Sequence, residues 1–287
     1  GRFIGDTIES VTSQAGDFFI DYIIMDGGST DDSIEIIRNY AREVEAYPVV
    51  DSLGDALFRS YGNCRGVSYR WVSEKDGGQV NALNAGFARA VGPYLSWLNS
   101  DDVYLTNHVY QHALSEFAEN PDLQLLTADG HFLNEDGSFQ GKHAVYELSV
   151  KECIYLDYHI LQPSTFFTMK VWEEVGISNE YNTAFDMLFF LNVVMKYPYR
   201  KIDEYWGGFR FYEDTKTLSL GRQRFRETTN IGSRLSDSRA FAFLSYIYRY
   251  FSIIVIPKTS SSIVRGIFRI YKDFLYRALT GDVQRRR

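Results

Sequence analysis

Trp97-Leu98-Asn99-Ser100-Asp101-Asp102 sets two adjacent acids at the end of an apolar run. Two carboxylates where a strand stops can hold a hard divalent cation, because Mg2+ and Mn2+ prefer oxygen ligands and share them with a substrate's phosphates. Taken alone, such a pair also suits a helix cap or a solvated turn. A second acidic turn, Asp26-Gly27-Gly28-Ser29-Thr30-Asp31, joins a carboxylate to two glycines that let the backbone turn tightly through positive φ. A third acid, Asp186, stands in the apolar stretch Ala184-Phe185-Asp186-Met187-Leu188-Phe189-Phe190. An acid there suits a general base, with a buried structural acid as the alternative.

Each acid needs an element to position it. Tyr94-Leu95-Ser96-Trp97-Leu98 has the apolar and aromatic content of a buried strand. Asp21-Tyr22-Ile23-Ile24-Met25 reads as another, ending at Asp26. Thr30 or Asp31 can cap a helix whose apolar positions Ile34, Ile37, Tyr40, Ala41 and Val44 recur at helical spacing. In open α/β sheets, ligands bind beyond the carboxyl ends of strands. The two acidic turns are therefore expected to converge on one crevice.

These pieces, with four others in the same order, resemble family 2 glycosyltransferases of the GT-A fold. Phe3-Ile4-Gly5-Asp6-Thr7-Ile8 is similar to the family's first helix, and Ile23-Ile24-Met25-Asp26-Gly27-Gly28-Ser29-Thr30-Asp31 to its nucleotide-base turn. Ser73-Glu74-Lys75-Asp76-Gly77-Gly78-Gln79 with Ala82-Leu83-Asn84-Ala85-Gly86 resembles the central signature, and Leu98-Asn99-Ser100-Asp101-Asp102 the DxD-type metal motif. Gln162-Pro163-Ser164-Thr165 and Ala184-Phe185-Asp186-Met187-Leu188 resemble the acceptor-side pieces. The match spans about residues 1–200. The resemblance implies a mixed, mostly parallel Rossmann-like α/β sheet flanked by helices, with a helical C-terminal tail. Two departures stand out. The family begins with a buried strand, and this sequence starts just after its place, at Gly1-Arg2-Phe3. Either a preceding segment supplies that strand or the sheet lacks it, and the exposed core that a lost central strand would leave favours the first. Residues 45–68 also exceed the family's usual passage and read as a surface insertion.

The resemblance implies the following chemistry. Asp101 binds the ribose or metal-bound waters, and Asp102 ligates the metal, Mn2+ or Mg2+, together with the diphosphate. Asp26 accepts from the imide of uracil or the corresponding edge of another base, on the turn made by Gly28. Asp76, Gln79 and Asn84 border the nucleotide and donor sugar, with Ala85 where the family often has Lys. Gln162 contacts donor or acceptor hydroxyls. Asp186 is the catalytic base, preceded by Phe185 where the family carries an acid or small residue. His131 and His159 read as structural. The activity implied is inverting transfer from a UDP- or GDP-sugar to a polysaccharide or lipid-linked acceptor.

The net charge of −7 is unevenly spread. From Leu235 onward ten Lys or Arg face three Asp or Glu, giving +7 and leaving −14 for the rest. Such asymmetry points to a surface partner for the basic end. Residues 240–256 form a strongly apolar run of about 17 residues, at the short limit for a membrane span, and Arg249 interrupts it. Residues 263–277 read as a basic amphipathic helix with aromatics, suited to the headgroup plane of an anionic leaflet. A pair of helices packed on the catalytic domain is the alternative. Two cysteines, Cys64 and Cys153, argue against a disulfide framework.

Other classes fit less well. No G-x-G-x-x-G turn follows the first strand, as a dinucleotide-binding oxidoreductase requires, and no G-x-x-x-x-G-K-[ST] loop is present. A nucleotidyltransferase shares the sheet and acidic metal site, but Lys and Arg are sparse around Gly27-Gly28. A non-catalytic sugar-nucleotide-binding module would not need Asp26, Asp101, Asp102 and Asp186 together. Nucleic acid is not expected as a partner, because the basic residues lie on an apolar tail and the remainder is acidic. The expectation is a catalytic domain over residues 1–225 and a basic helical tail over residues 226–287. The enzyme is expected at the cytoplasmic face of the cell membrane, held to an anionic surface.

Overall fold

The computed structural model describes residues 1–145, 150–156, 160–212 and 215–280. In chain order the elements are α1 (Ile4–Thr12), β1 (Phe19–Asp26), α2 (Ser33–Glu45), β2 (Val49–Leu53), β3 (Ala56–Arg59), β4 (Gly66–Ser73), α3 (Gln79–Phe87), β5 (Tyr94–Leu95), β6 (Val103–Tyr104), α4 (Val109–Glu119), β7 (Leu125–Leu133) and β8 (Phe139–His143). They continue with α5 (Val150–Tyr155), a 3-10 turn (Gln162–Ser164), β9 (Thr165–Thr168), α6 (Met169–Val175), α7 (Phe185–Lys196), β10 (Tyr199–Arg210), α8 (Lys216–Ser219), α9 (Gly221–Leu235), α10 (Arg239–Arg249) and α11 (Ser262–Thr280). The chain divides into two compact units. One holds residues 1–145, 160–179 and 196–211, and the other residues 146–159, 180–195 and 212–287. The second unit thus takes α5 and most of α7 from the middle of the sequence, so the division cannot be drawn at one point of the chain.

The first unit is the mixed α/β fold that the motifs imply, with helices flanking sheets. Its pairing is less parallel than expected. β1–β4 and β7–β10 run parallel, whereas β2–β3, β3–β4, β5–β9, β7–β9, β7–β8 and β6–β10 are antiparallel. Hairpins account for three of the antiparallel pairs, β2–β3, β3–β4 and β7–β8, since a short turn can join only antiparallel neighbours. Residues 45–68 form a hairpin rather than a loop: β2 and β3 pair from Val49↔Arg59 to Leu53↔Ala56, and β3 meets β4 at Arg59↔Val67. β2 is exposed along its whole length, as a surface addition should be.

The strands form two sheets instead of one. The four-stranded sheet has the order β1-β4-β3-β2, and the six-stranded sheet the path β5-β9-β7-β10-β6 with β8 on β7. β1 and β5 are the facing edges of these sheets. A cavity of about 950 Å³ lies between them, lined by residues 18–27 on one side and 90–100 on the other, with Ile4, Thr7 and Phe87 from the helices. This is why the expected strand over residues 94–98 is regular only at Tyr94–Leu95, where β9 pairs with it. Trp97 and Leu98 line the cavity beyond the end of that short strand. Extended strands lie about 4.8 Å apart and rise about 3.3 Å per residue in layers about 10 Å deep. The cavity therefore has the volume of about six strand residues on those spacings.

The cores explain the helix faces. Val11, Ile20, Val67, Ala113, Leu126 and Phe166 belong to one buried cluster of the first unit. In the second unit, Cys153, Ala184, Met187, Leu191 and Ile231 form another, fed by α5, α7 and α9. Arg249 lies inside that unit at 1% exposure, donating to Ser245 Oγ at 2.6 Å and to the Ile154 carbonyl. The cation that interrupts the apolar run of residues 240–256 is thus turned into protein. Among the described residues no helix is long and apolar enough to cross a membrane.

Candidate active site

β1 ends at Asp26, and the turn after it folds onto the acid. The Asp26 carboxylate accepts at Oδ2 from Gly28 N at 2.9 Å, Ser29 N at 3.0 Å and Ser73 Oγ at 2.6 Å. The first two donors point at one oxygen because Gly28 adopts φ +85°, a conformation that costs a side-chain-bearing residue dearly. Partial burial pushes the carboxyl up, but the bonds from Ser29, Ser73 and Gly28 outweigh it and hold Asp26 below the usual carboxylate range. Asp26 is thus an ionised, oriented acceptor at a strand end.

The second turn lies beside it. Asp76 Oδ1 accepts from Gly78 N at 2.8 Å, and a Cβ built on Gly27 would stand 3.2 Å from Asp76 Oδ2. A side chain at Gly27 would push the Asp76 carboxylate aside by a few tenths of an ångström. From the start of α3, Gln79 donates to Asn99 Oδ1 at 2.7 Å. Asn99 Nδ2 donates in turn to Asp102 Oδ2 at 2.9 Å and to Gln162 Oε1 at 3.2 Å. Gln162 Nε2 donates to the Trp97 carbonyl. One amide therefore joins α3, the acidic turn and the 3-10 turn before β9. Asp26, Gly27, Asp76, Gln79, Asn99 and Ser100 all line the wall of the cavity where the strands end.

Asp102 is not on an exposed turn. It is fully buried, its Oδ1 accepts from Arg210 N at 3.2 Å, and its carbonyl accepts from Thr7 Oγ1 at 2.8 Å. Burial and then the charge of Asp101 push its carboxyl well above the ordinary range, against the pull of the Asn99 and Arg210 bonds. Asp101 is partly exposed. Arg210, 3% exposed at the end of β10, clamps the turn: Nε donates to the Asp101 carbonyl at 3.0 Å and Nη1 to the Glu135 carbonyl at 2.8 Å. Nη2 pairs with Asp6 at 2.8 Å, and the guanidinium lies 4.4 Å from the Phe3 ring centroid. Among the described residues no three His, Cys, Asp or Glu side chains lie close enough to hold a metal alone. A divalent ion carried by a diphosphate needs only one or two protein carboxylates. Of the two acids, Asp101 is the one open to solvent, and Asp102 is buried.

Asn84 does not join the cleft wall. Its Nδ2 donates to the Ile177 carbonyl at 2.8 Å and its Oδ1 accepts from Trp172 Nε1 at 3.2 Å, so its amide ties α3 to the segment after α6. Asp186 lies in the first turn of α7, part of the second unit, and accepts from Met187 N at 2.8 Å. Glu227 on α9 holds the start of that helix, accepting from Thr183 N at 2.7 Å, Thr183 Oγ1 at 2.7 Å and Ala184 N at 3.0 Å. Lys216 feels the charge of Asp186, although burial outweighs it and lowers the amine below its ordinary range. His131 packs against the rings of Phe139 and Tyr205, while His159 lies outside the described residues.

Sequence reasoning missed Asn99, Arg210, Lys216 and Glu227. Asn99 had a signal, its place two residues before Asp101 in a chelating turn. Arg210 had none, because 108 residues separate it from Asp102.

A mixed α/β unit that presents an ionised carboxylate, a glycine turn and an amide network at strand ends is built to hold a nucleotide. The chain matches the model of glycosyl transferase family 2 over residues 1–176 and belongs to that family. No curated protein matches the sequence. Among solved structures it is similar to S. aureus TarS 1–349, at 15% identity and TM-score 0.56, covering 97% of this chain and 77% of that one. Against the same protein in complex with UDP-GlcNAc the values are 15%, 0.57, 96% and 78%. The likeness establishes the GT-A fold. The protein is a family 2 glycosyltransferase.

Proposed function

We propose that this enzyme transfers a sugar, with inversion, from a nucleoside-diphosphate donor to a hydroxyl of a polysaccharide or lipid-linked acceptor at the cytoplasmic face of a membrane. The observation that carries the donor side is Asp26, an acid kept ionised by three donors on a turn beside Asp76. An oriented carboxylate can accept the imide N–H of uracil, and the bound UDP and UDP-GlcNAc of the TarS complexes support a uridine donor. Gln79, Asn99 and Gln162 offer amides to ribose and sugar hydroxyls, with Asp102 and Arg210 keeping Asn99 and Asp101 in place.

Asp101 is the carboxylate we assign to Mn2+ or Mg2+ arriving with the diphosphate. When bound, that ion would neutralise charge on the leaving group. Asp186 takes the acceptor O–H proton as the hydroxyl oxygen bonds to the anomeric carbon. The bond from that carbon to the phosphate oxygen breaks, and its electron pair leaves with the diphosphate. A single displacement of this kind inverts the anomeric carbon.

The test is thermal stabilisation by UDP, UDP-GlcNAc, GDP and GDP-mannose, each with and without Mn2+. A ligand bound only by the folded state raises Tm, with 100 Kd of ligand contributing about 2.7 kcal/mol. Stabilisation by one nucleotide class, enhanced by Mn2+ and lost in Asp26→Ala, is expected. No shift with any nucleotide at millimolar concentration would refute the donor assignment.

A further inference from the structure

α11 carries two apolar faces, and among the described residues only one is packed within its unit. Leu275 is fully buried against Leu156 and Tyr248, with Phe268, Tyr271, Tyr276 and Leu279 packed around them. Away from that face, Ile263, Ile267, Ile270 and Phe274 are 73%, 61%, 71% and 57% exposed. Their spacing of four, three and four residues puts them within about 60° of one another around a helix of 3.6 residues per turn. Isolated exposed leucines or isoleucines are ordinary, but an aligned stripe of four on one helix marks an interaction surface.

The flanking charge identifies what covers it. Of the five charged side chains on α11, Arg265, Arg269, Lys272 and Arg277 are basic and only Asp273 is acidic. Arg269 and Arg277 are exposed, and both are long enough to reach an anionic layer while their stems lie along apolar surface. An apolar stripe with basic flanks is the pattern of a helix lying in the interface plane, its apolar side sunk to the level of the acyl chains. A second copy of this chain fits less well, because stacking two stripes would bring arginines against arginines, and like charges in register are repulsive. A span is excluded for this helix by its five charged side chains.

We propose that the face of α11 formed by Ile263, Ile267, Ile270 and Phe274 binds flat on an anionic lipid bilayer. On α10, by contrast, only Arg239 of the two arginines is exposed, because Arg249 is buried inside the unit. This deepens the membrane side of the proposed function, and its chemistry is independent of the donor cleft. Nucleotide binding therefore reports on one and lipid binding on the other.

The experiment is co-sedimentation of the full chain with vesicles of phosphatidylcholine alone and with 30% phosphatidylglycerol. Companion variants are Ile267→Asp/Ile270→Asp and Arg269→Glu/Arg277→Glu, with UDP stabilisation and far-UV circular dichroism recorded on each. All four positions are exposed, so folding is expected to be preserved. The native chain should partition onto the anionic vesicles. The isoleucine variant should lose at least tenfold in partitioning, and the arginine variant its preference for anionic over neutral vesicles. Equal partitioning of the native chain and both variants would overturn the proposal. So would a concentration-dependent dimer that Ile267→Asp/Ile270→Asp converts to monomer without changing vesicle binding, which would assign the stripe to a second copy.

Discussion

Asp101 and Asp102 are neighbours in sequence and opposites in environment. Asp102 is sealed, with both oxygens accepting hydrogen bonds, so Asp102→Ala removes the acceptor of the Arg210 amide, while Asn99 keeps Gln162. A buried donor left unsatisfied costs about 1–3 kcal/mol, so chemical denaturation should show a loss of about that size. Asp101→Ala should change stability by less than about 0.5 kcal/mol, as a surface substitution does, yet abolish the Mn2+-dependent part of nucleotide binding. The reverse pattern would return the metal to Asp102. Asp26 gives a pH prediction. Its folded pKa is depressed by its donors, so its stabilising contribution is present above the unfolded value of about 3.9 and is lost as pH falls through the lower folded value. Comparing the native protein with Asp26→Ala between pH 6 and pH 2.5, the two stability curves should converge on the acid side. Curves that stay parallel would mean that Asp26 is not held ionised by its turn.

At the scale of elements, the gap between the two sheets dominates. β1 and the segment around Trp97 border an apolar cavity with room for about six extended residues. Gly1 N donates to Ser33 Oγ at 2.7 Å, just past the carboxyl end of β1, and α1 runs from there along the cavity. A strand joined ahead of Gly1 would therefore enter parallel to β1, with α1 as its crossover. Fusing an apolar, β-branched six-residue segment ahead of Gly1 should raise Tm by at least about 5 °C, because each kilocalorie per mole shifts a domain of this size by about 2–4 °C. A sequence-scrambled polar segment serves as the control. Equal melting of the two fusions would show that the cavity does not accept a strand. The insertion after α2 was legible as extra chain but not as a hairpin, since Val49-Val50-Asp51-Ser52-Leu53 alternates weakly and β2 is exposed throughout.

Across the whole molecule, the residues proposed to hold the donor and the proposed base fall in different compact units. Asp26, Asp76, Gln79, Asp101 and Gln162 belong to the first, and Asp186 with its neighbours Glu227 and Lys216 to the second. Asp186→Asn should thus lower turnover by at least about a hundredfold, the usual contribution of a general base, while UDP affinity stays within twofold by titration. Loss of affinity with retained turnover would make Asp186 a donor residue. Local chemistry was readable from the sequence alone: the glycine turn after Asp26, the strand-end acids, the order of motifs that marks the family, and the basic tail. Each depends on residues within a few positions of one another, where backbone geometry and periodicity act directly. Tertiary structure alone decided which acid is sealed, because Arg210 reaches Asp102 across 108 residues. It likewise turned Asn84 toward Trp172 and Ile177, buried Arg249, and left one face of α11 bare. Burial and hydrogen-bond partnership are properties of what folds against a residue, and no spacing along the chain encodes them.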